Sequence, residues 1–120
     1  MNPHIKTFVA AGAIGHRRLV KFTGNDGEVA LATAATDLLA GVVDFPSGAK
    51  AGDRIDVVIF GPAEVVAGGA IAPGISFSAG ADGAAVAAAA AGDTTGGFVL
   101  TAAASGDFVR AFVQRGSVAA

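Results

Sequence analysis

Residues 51–60 read Ala-Gly-Asp-Arg-Ile-Asp-Val-Val-Ile-Phe, and a variant returns at residues 105–113 as Ser-Gly-Asp-Phe-Val-Arg-Ala-Phe-Val. Each copy opens on a Gly-Asp pair and continues with β-prone residues. Ile55, Val57 and Ile59 occupy alternate positions in the first copy, and Val109, Ala111 and Val113 do so in the second. A period of two marks a strand with one face turned to a core. The outward positions are Arg54, Asp56 and Val58 in the first copy and Phe108, Arg110 and Phe112 in the second. An internal repeat decides how the rest of a chain is divided, so this recurrence limits the fold more than any other feature.

Further landmarks recur in the same order. Gly12-Ala13-Ile14 returns as Gly69-Ala70-Ile71, Asp26-Gly27 as Asp82-Gly83, and Asp37 as Asp93. Gly41-Val42-Val43 returns as Gly97-Phe98-Val99, and Asp53 as Asp107. The spacing shortens slightly along the chain, and loops absorb such losses. Two copies are too few for a solenoid. The expected fold is therefore all-β: a small duplicated β-sandwich or barrel of two pseudo-symmetric repeats with an extended N-terminal arm. The chain divides as one β domain, residues 1–120, with an arm at 1–11, repeat one at 12–61 and a link at 62–68. Repeat two follows at 69–116 and a tail at 117–120. A chain of this length buries roughly two-thirds of the surface that its unfolded form exposes, enough for a real core.

In the arm, Ile5, Thr7 and Val9 alternate with Lys6 and Phe8, as an extended strand does, and Pro3 keeps the tip from starting a helix and leaves it flexible. Such an arm closes its own sheet or adds to the edge of a neighbour's. In repeat one, strands are expected at 19–22, 29–32, 41–45 and 54–60, with a hairpin turn at 23–27. Residues 33–39 fit either a helical turn or a loop. Gly61-Pro62 reads as the end of the unit, with a short link strand at 63–66. Residues 84–91 are nearly all alanine, which prefers helix, but the repeat pattern places a strand at 85–88.

Composition narrows the function classes. The net charge is −2, the acids and bases are interspersed, and Trp and Tyr are absent, which argues against a nucleic-acid reader. With no cysteine there is no disulfide, thiolate metal site or cysteine nucleophile. The opening residues lack the apolar core of a signal peptide. No strongly apolar run approaches the ~20 residues of a membrane helix.

The chemistry-bearing residues gather into no motif. His4 lies in the arm and His16 beside Arg17-Arg18, and neither has a nearby carboxylate pair for metal binding. The serines lie in turns or strands without a nucleophile-elbow pattern. Residues 92–97, Gly-Asp-Thr-Thr-Gly-Gly, resemble a phosphate loop but lack its lysine and following helix, so a turn is expected there. Asp26, Asp37, Asp53, Asp82, Asp93 and Asp107 recur at matched points, as turn-building acids do and catalytic acids do not. Lys50, in Gly48-Ala49-Lys50-Ala51-Gly52, has the placement of a lipoyl- or biotinyl-carrier lysine at a hairpin tip, without the acidic and Met-flanked surroundings. The carrier is the alternative reading.

The ordered set Gly-Ala-Ile, Gly-x-Asp-Gly, Gly-Val-Val and Gly-Asp-x-Ile-x-Val, carried by Gly12, Ile14, Gly24, Asp26, Gly27, Gly41, Val42, Gly52, Asp53, Ile55 and Val57, resembles the small capsid decoration, or cement, proteins of tailed bacteriophages. Second copies run from Gly69 to Val109, so the resemblance covers nearly the whole chain, although the alanine-rich second copy departs from the pattern. The resemblance implies a non-enzymatic structural protein on the outer surface of the capsid, made in the host cytoplasm and bridging major capsid protein subunits. It implies a homotrimer, or else a homodimer, with no cofactor, no nucleic acid and no membrane. The expected capsid or subunit contacts are Pro3, His4, Ile5, Lys6 and Phe8 of the arm, Arg17 and Arg18, and the outward Phe108, Arg110 and Phe112.

Overall fold

The computed structural model describes residues 4–88 and 92–117. Its strands are β1 (His4–Ala10), β2 (Leu19–Phe22), β3 (Glu28–Leu31), β4 (Leu39–Asp44), β5 (Arg54–Val66), β6 (Ser76–Ala79), β7 (Ala85–Ala87), β8 (Thr94–Val99) and β9 (Phe108–Ser117). A short 3-10 turn at Ala81–Gly83 is the one helical element among the described residues, so the fold is all-β.

Strands β1, β3, β2, β4 and β5 form a sheet that closes on itself, because β1 also pairs with β5. The result is a closed five-stranded barrel. The β1–β3 contact is parallel, with Ala10 opposite Val29, and the other pairings are antiparallel. The sheet continues from the far half of β5 through β9, β8 and β6 to β7. Ala67 bridges Ala85 in parallel there, beside the end of β5. Ile14 and Ala49 exchange two backbone hydrogen bonds, and Ile71 and Ala103 exchange two.

Two cores follow from this arrangement. Ala10, Val20, Val29, Val43, Ile55 and Val57 fill the barrel. The outer side of its wall, with Leu19, Leu39, Val42 and Val58, packs on Val65, Phe77, Val99, Val109, Ala111 and Val113 of the second half. Strand β4 lies between the two cores, which is why it is apolar on both faces. The inward positions expected at 55 and 57, and at 109, 111 and 113, are buried, and Ile59 is half-buried at the barrel's end. Val58, expected to point outward, is buried because the second half covers it.

Residues 4–10 are strand β1, extended as expected, and of the two roles open to such a segment they take the first and close their own barrel, from His4 opposite Phe60 to Val9 opposite Arg54. Two features depart from the sequence-based expectation. Gly61-Pro62 does not end a strand, since β5 runs through it for 13 residues and belongs to both sheets. Beyond Gly61 its sole strand partner among the described strands is β9, so the missing N–H of Pro62 faces an edge. Second, most of the glycine-rich stretch at 92–97 is strand β8 rather than turn. A β-carbon on Gly96 would come within 2.8 Å of the Phe77 ring, so the glycine there serves close packing. Of the alanine-rich stretch, 85–87 is strand β7 as expected, and residues 89–91 lie outside the described residues.

Candidate functional site

The period of two in β9 that buries Val109, Ala111 and Val113 turns Phe108, Arg110 and Phe112 outward. Phe108 is 60% exposed. Phe112 is half-buried because rings flank it. Phe60 meets it edge-on at 5.2 Å and Phe98 stacks on it at 5.7 Å. His4 meets Phe60 edge-on at 6.3 Å. The four rings come from β1, β5, β9 and β8 and form a row across the sheet. Aromatic pairs of this geometry contribute about 0.5–1.5 kcal/mol beyond their buried area, so the row is pre-organised.

Charged groups border the row. Glu64 on β5 stands opposite Arg110 on β9, and Arg17 Nη2 lies 3.7 Å from Glu64 Oε1. With Pro62, Ala63 and Leu100 they line an open hollow of about 350 Å³. An exposed pair of this kind stabilises the fold little. Its consequence is local charge: two arginines and one glutamate line this hollow on a chain whose net charge is −2. Arg17 also holds a left-handed backbone, φ 64. Its N–H donates to the Val43 carbonyl, as the N–H of Gly74, φ 83, donates to that of Val99. A β-carbon in that region costs about 1–2 kcal/mol.

His16 connects this face to the interior. Its Nδ1 accepts the Phe45 N–H at 3.0 Å, and its ring lies edge-on to Phe108 at 6.4 Å. Burial, and then the neighbouring Arg17 charge, hold its pKa below the ordinary 6.5.

The structure therefore brings His4, Arg17, Phe108, Arg110 and Phe112 together on one face. It sends the other expected contacts elsewhere. Lys6 and Phe8 line the open end of the barrel. Ile5 is exposed on β1. Arg18 turns to the second half and donates from Nη1 to the Asp82 carbonyl at 3.2 Å. Pro3 lies outside the described residues. Phe60, Glu64, Phe98 and Leu100 belong to the face and were missed in the sequence. The signal for Phe60 and Glu64 was hidden by treating Gly61-Pro62 as a strand end.

Three of the six recurring acids hold turns by accepting backbone N–H groups. Asp53 Oδ2 accepts the Lys50 N–H at 2.9 Å, and Asp107 Oδ2 accepts the Ala104 N–H at 3.1 Å. Asp37 Oδ2 accepts the N–H groups of Thr33 and Ala34, which makes residues 33–37 a pinned loop rather than a helical turn. Lys50 is exposed within the turn that Asp53 closes. Among the described residues no group of three or more His, Asp or Glu side chains gathers where a metal ion could be held.

No protein-family model and no curated protein matches this chain. Among solved structures it is similar to the head fiber gp8.5 N base of bacteriophage phi29, with a TM-score of 0.73 and 21% sequence identity over 99% of this chain and 100% of that one. At that identity the likeness establishes the fold, which the two share along their whole length.

Proposed function

We infer that this chain is a structural protein of a tailed-phage head. It binds the outer surface of the capsid and bridges neighbouring major capsid protein subunits. The carrying observation is the outer face of β9, where the ring row at Phe112, the Arg17–Glu64–Arg110 cluster and Phe108, 60% exposed, follow one another along the strand. Apolar rings on either side of a charged cluster on one open sheet face suit docking to another protein. The full-length likeness to the head fiber gp8.5 N base of bacteriophage phi29 supports the same reading. In it, the chain acts as a homotrimer in preference to a homodimer, as the resemblance to decoration proteins implies, and the weak contacts joined in one oligomer hold as one strong contact. Its role is binding without catalysis or cofactor, and its place is the outside of the virion.

Duplication of one β unit belongs to this reading. Matched hydrogen bonds support it: Gly52 N–H donates to Ala10 and Gly106 N–H to Ala67, while Ala10 N–H donates to Asp53 and Ala67 N–H to Asp107. Two similar half-units fused in one chain give a rigid scaffold that presents one half's outer face.

Cosedimentation with cognate heads assembled without this protein tests the reading. The wild-type chain pellets with the heads, and a Phe108→Ser, Arg110→Glu variant with unchanged melting stays in the supernatant. A wild-type chain that stays in the supernatant would sink the proposal.

A further inference from the structure

The barrel is open at the end where β1 begins. Phe8, Phe22, Leu39, Ala40 and Ile59 form an apolar floor there, with Lys6 and Arg115 at the rim, around a hollow of about 390 Å³. The rings of Phe8 and Phe22 meet edge-on at 6.2 Å. The Arg115 guanidinium lies 6.0 Å from the centre of the Phe22 ring, which is 43% exposed. The ion pairs among the described residues involve neither Lys6 nor Arg115.

The hollow is bordered by an open strand edge. Strand β1 pairs with β5 from His4 to Val9, but among the described residues it pairs with β3 at Val9 and Ala10 alone. The N–H groups of Val9 and Ala11 donate to Gly27 and Val29 on the β3 side. Strand alternation turns the main-chain groups of Thr7 the same way, beyond the point where the β2–β3 hairpin ends.

The geometry points to a docking site in this mouth for an extended segment of a partner protein that carries an apolar side chain between carboxylates. The floor takes the apolar side chain. The two cations, in no ion pair among the described residues, select acidic flanks over basic ones. The edge of β1 offers hydrogen bonds to an extended backbone, the mode by which a sheet gains a strand from another chain. The site uses none of the outer-face residues, so it stands apart from the capsid reading.

Amide NMR of the full chain tests it, with the peptide acetyl-Asp-Leu-Asp-Phe-Asp-amide as probe and the same peptide with lysine for aspartate as control. The acidic peptide shifts the resonances of Lys6, Thr7, Phe8, Phe22 and Arg115 saturably, and the control does not. A Lys6→Glu, Arg115→Glu variant, altered at exposed positions only, binds about tenfold more weakly or worse. Phe22→Ser, also at an exposed position, weakens binding with the charges intact. Equal binding of the lysine peptide, shifts confined to the outer face, or no shifts at millimolar peptide each overturn the assignment. Mouth resonances that move on dilution without peptide also overturn it, in favour of a second copy of the chain.

Discussion

Gly41 lies so close to Val58 that a β-carbon built on it would stand 2.0 Å from the Val58 carbonyl oxygen. Neither side has room to retreat, because β4 is covered on both faces. Gly41→Ala is therefore expected to cost about 3 kcal/mol or more, in the range of severe core substitutions. Gly52 is the control. It has φ 89 but nothing within 4 Å of the added carbon, so Gly52→Ala carries backbone strain alone, about 1–2 kcal/mol. Urea unfolding at constant slope separates the two. Equal midpoints for the two variants would contradict the close approach.

Asp53 closes its turn by accepting the Lys50 N–H, and Asp107 does the same for Ala104. Asn retains an acceptor oxygen and Ala does not. Asp53→Ala is thus expected to lose about 1 kcal/mol, and Asp53→Asn a fraction of that. The same ordering is expected at Asp107. Thermal melting of the four variants checks it, and a loss at Asn equal to that at Ala would mean that charge, not the hydrogen bond, holds the turn.

The legible parts of this fold were those set by local chemistry. The alternation of Ile55 with Val57, and of Val109 with Ala111 and Val113, named core residues correctly because period two follows from strand geometry. The Gly-Asp turns were legible because Asp side chains bond their own backbone. What was hidden depended on partners distant in sequence. Pro62 reads as a breaker until β9 is seen to be its sole strand neighbour among the described residues. Gly96 and Gly97 read as a loop until the Phe77 ring and the Phe112 carbonyl are placed against them. Phe108 and Phe112 could be assigned outward from the sequence, but the meeting of Phe112 with Phe60 and Phe98, and of Phe108 with His16, required the strand order.

His16 gives the stability a pH dependence. Burial, and then the Arg17 charge, lower its folded pKa below 6.5, and its neutral ring accepts the Phe45 N–H. As pH falls through about 6.5 the unfolded chain takes up the proton before the folded one does, so stability present above that pH declines and levels off below the folded pKa. Glu28 acts in a separate window. Hydrogen bonds from Asn25 and then Thr23 lower its pKa from 4.5, so its contribution is lost only at more acid pH. His16→Asn keeps an acceptor and removes the titration. Between about pH 7 and 5.5 the wild-type melting temperature is expected to fall relative to this variant. Parallel curves would show that His16 does not titrate against the fold.

Arg17 occupies a left-handed backbone that Gly74 occupies in the second half, and its side chain stands beside Glu64 and, across the strand pair, Arg110. Backbone strain and an exposed ion pair pull in opposite directions here. Glycine would remove strain of about 1–2 kcal/mol, whereas the pair contributes less than about 1 kcal/mol. Arg17→Gly is therefore expected to melt at or above the wild-type temperature, and Arg17→Ala below Arg17→Gly. If the outer face is the docking surface, both variants lose head binding in the sedimentation assay although one of them is no less stable. An arginine held against its own backbone preference is then explained by what it touches outside the chain. Retained binding by both variants would confine Arg17 to the fold and shift the contact to the ring row.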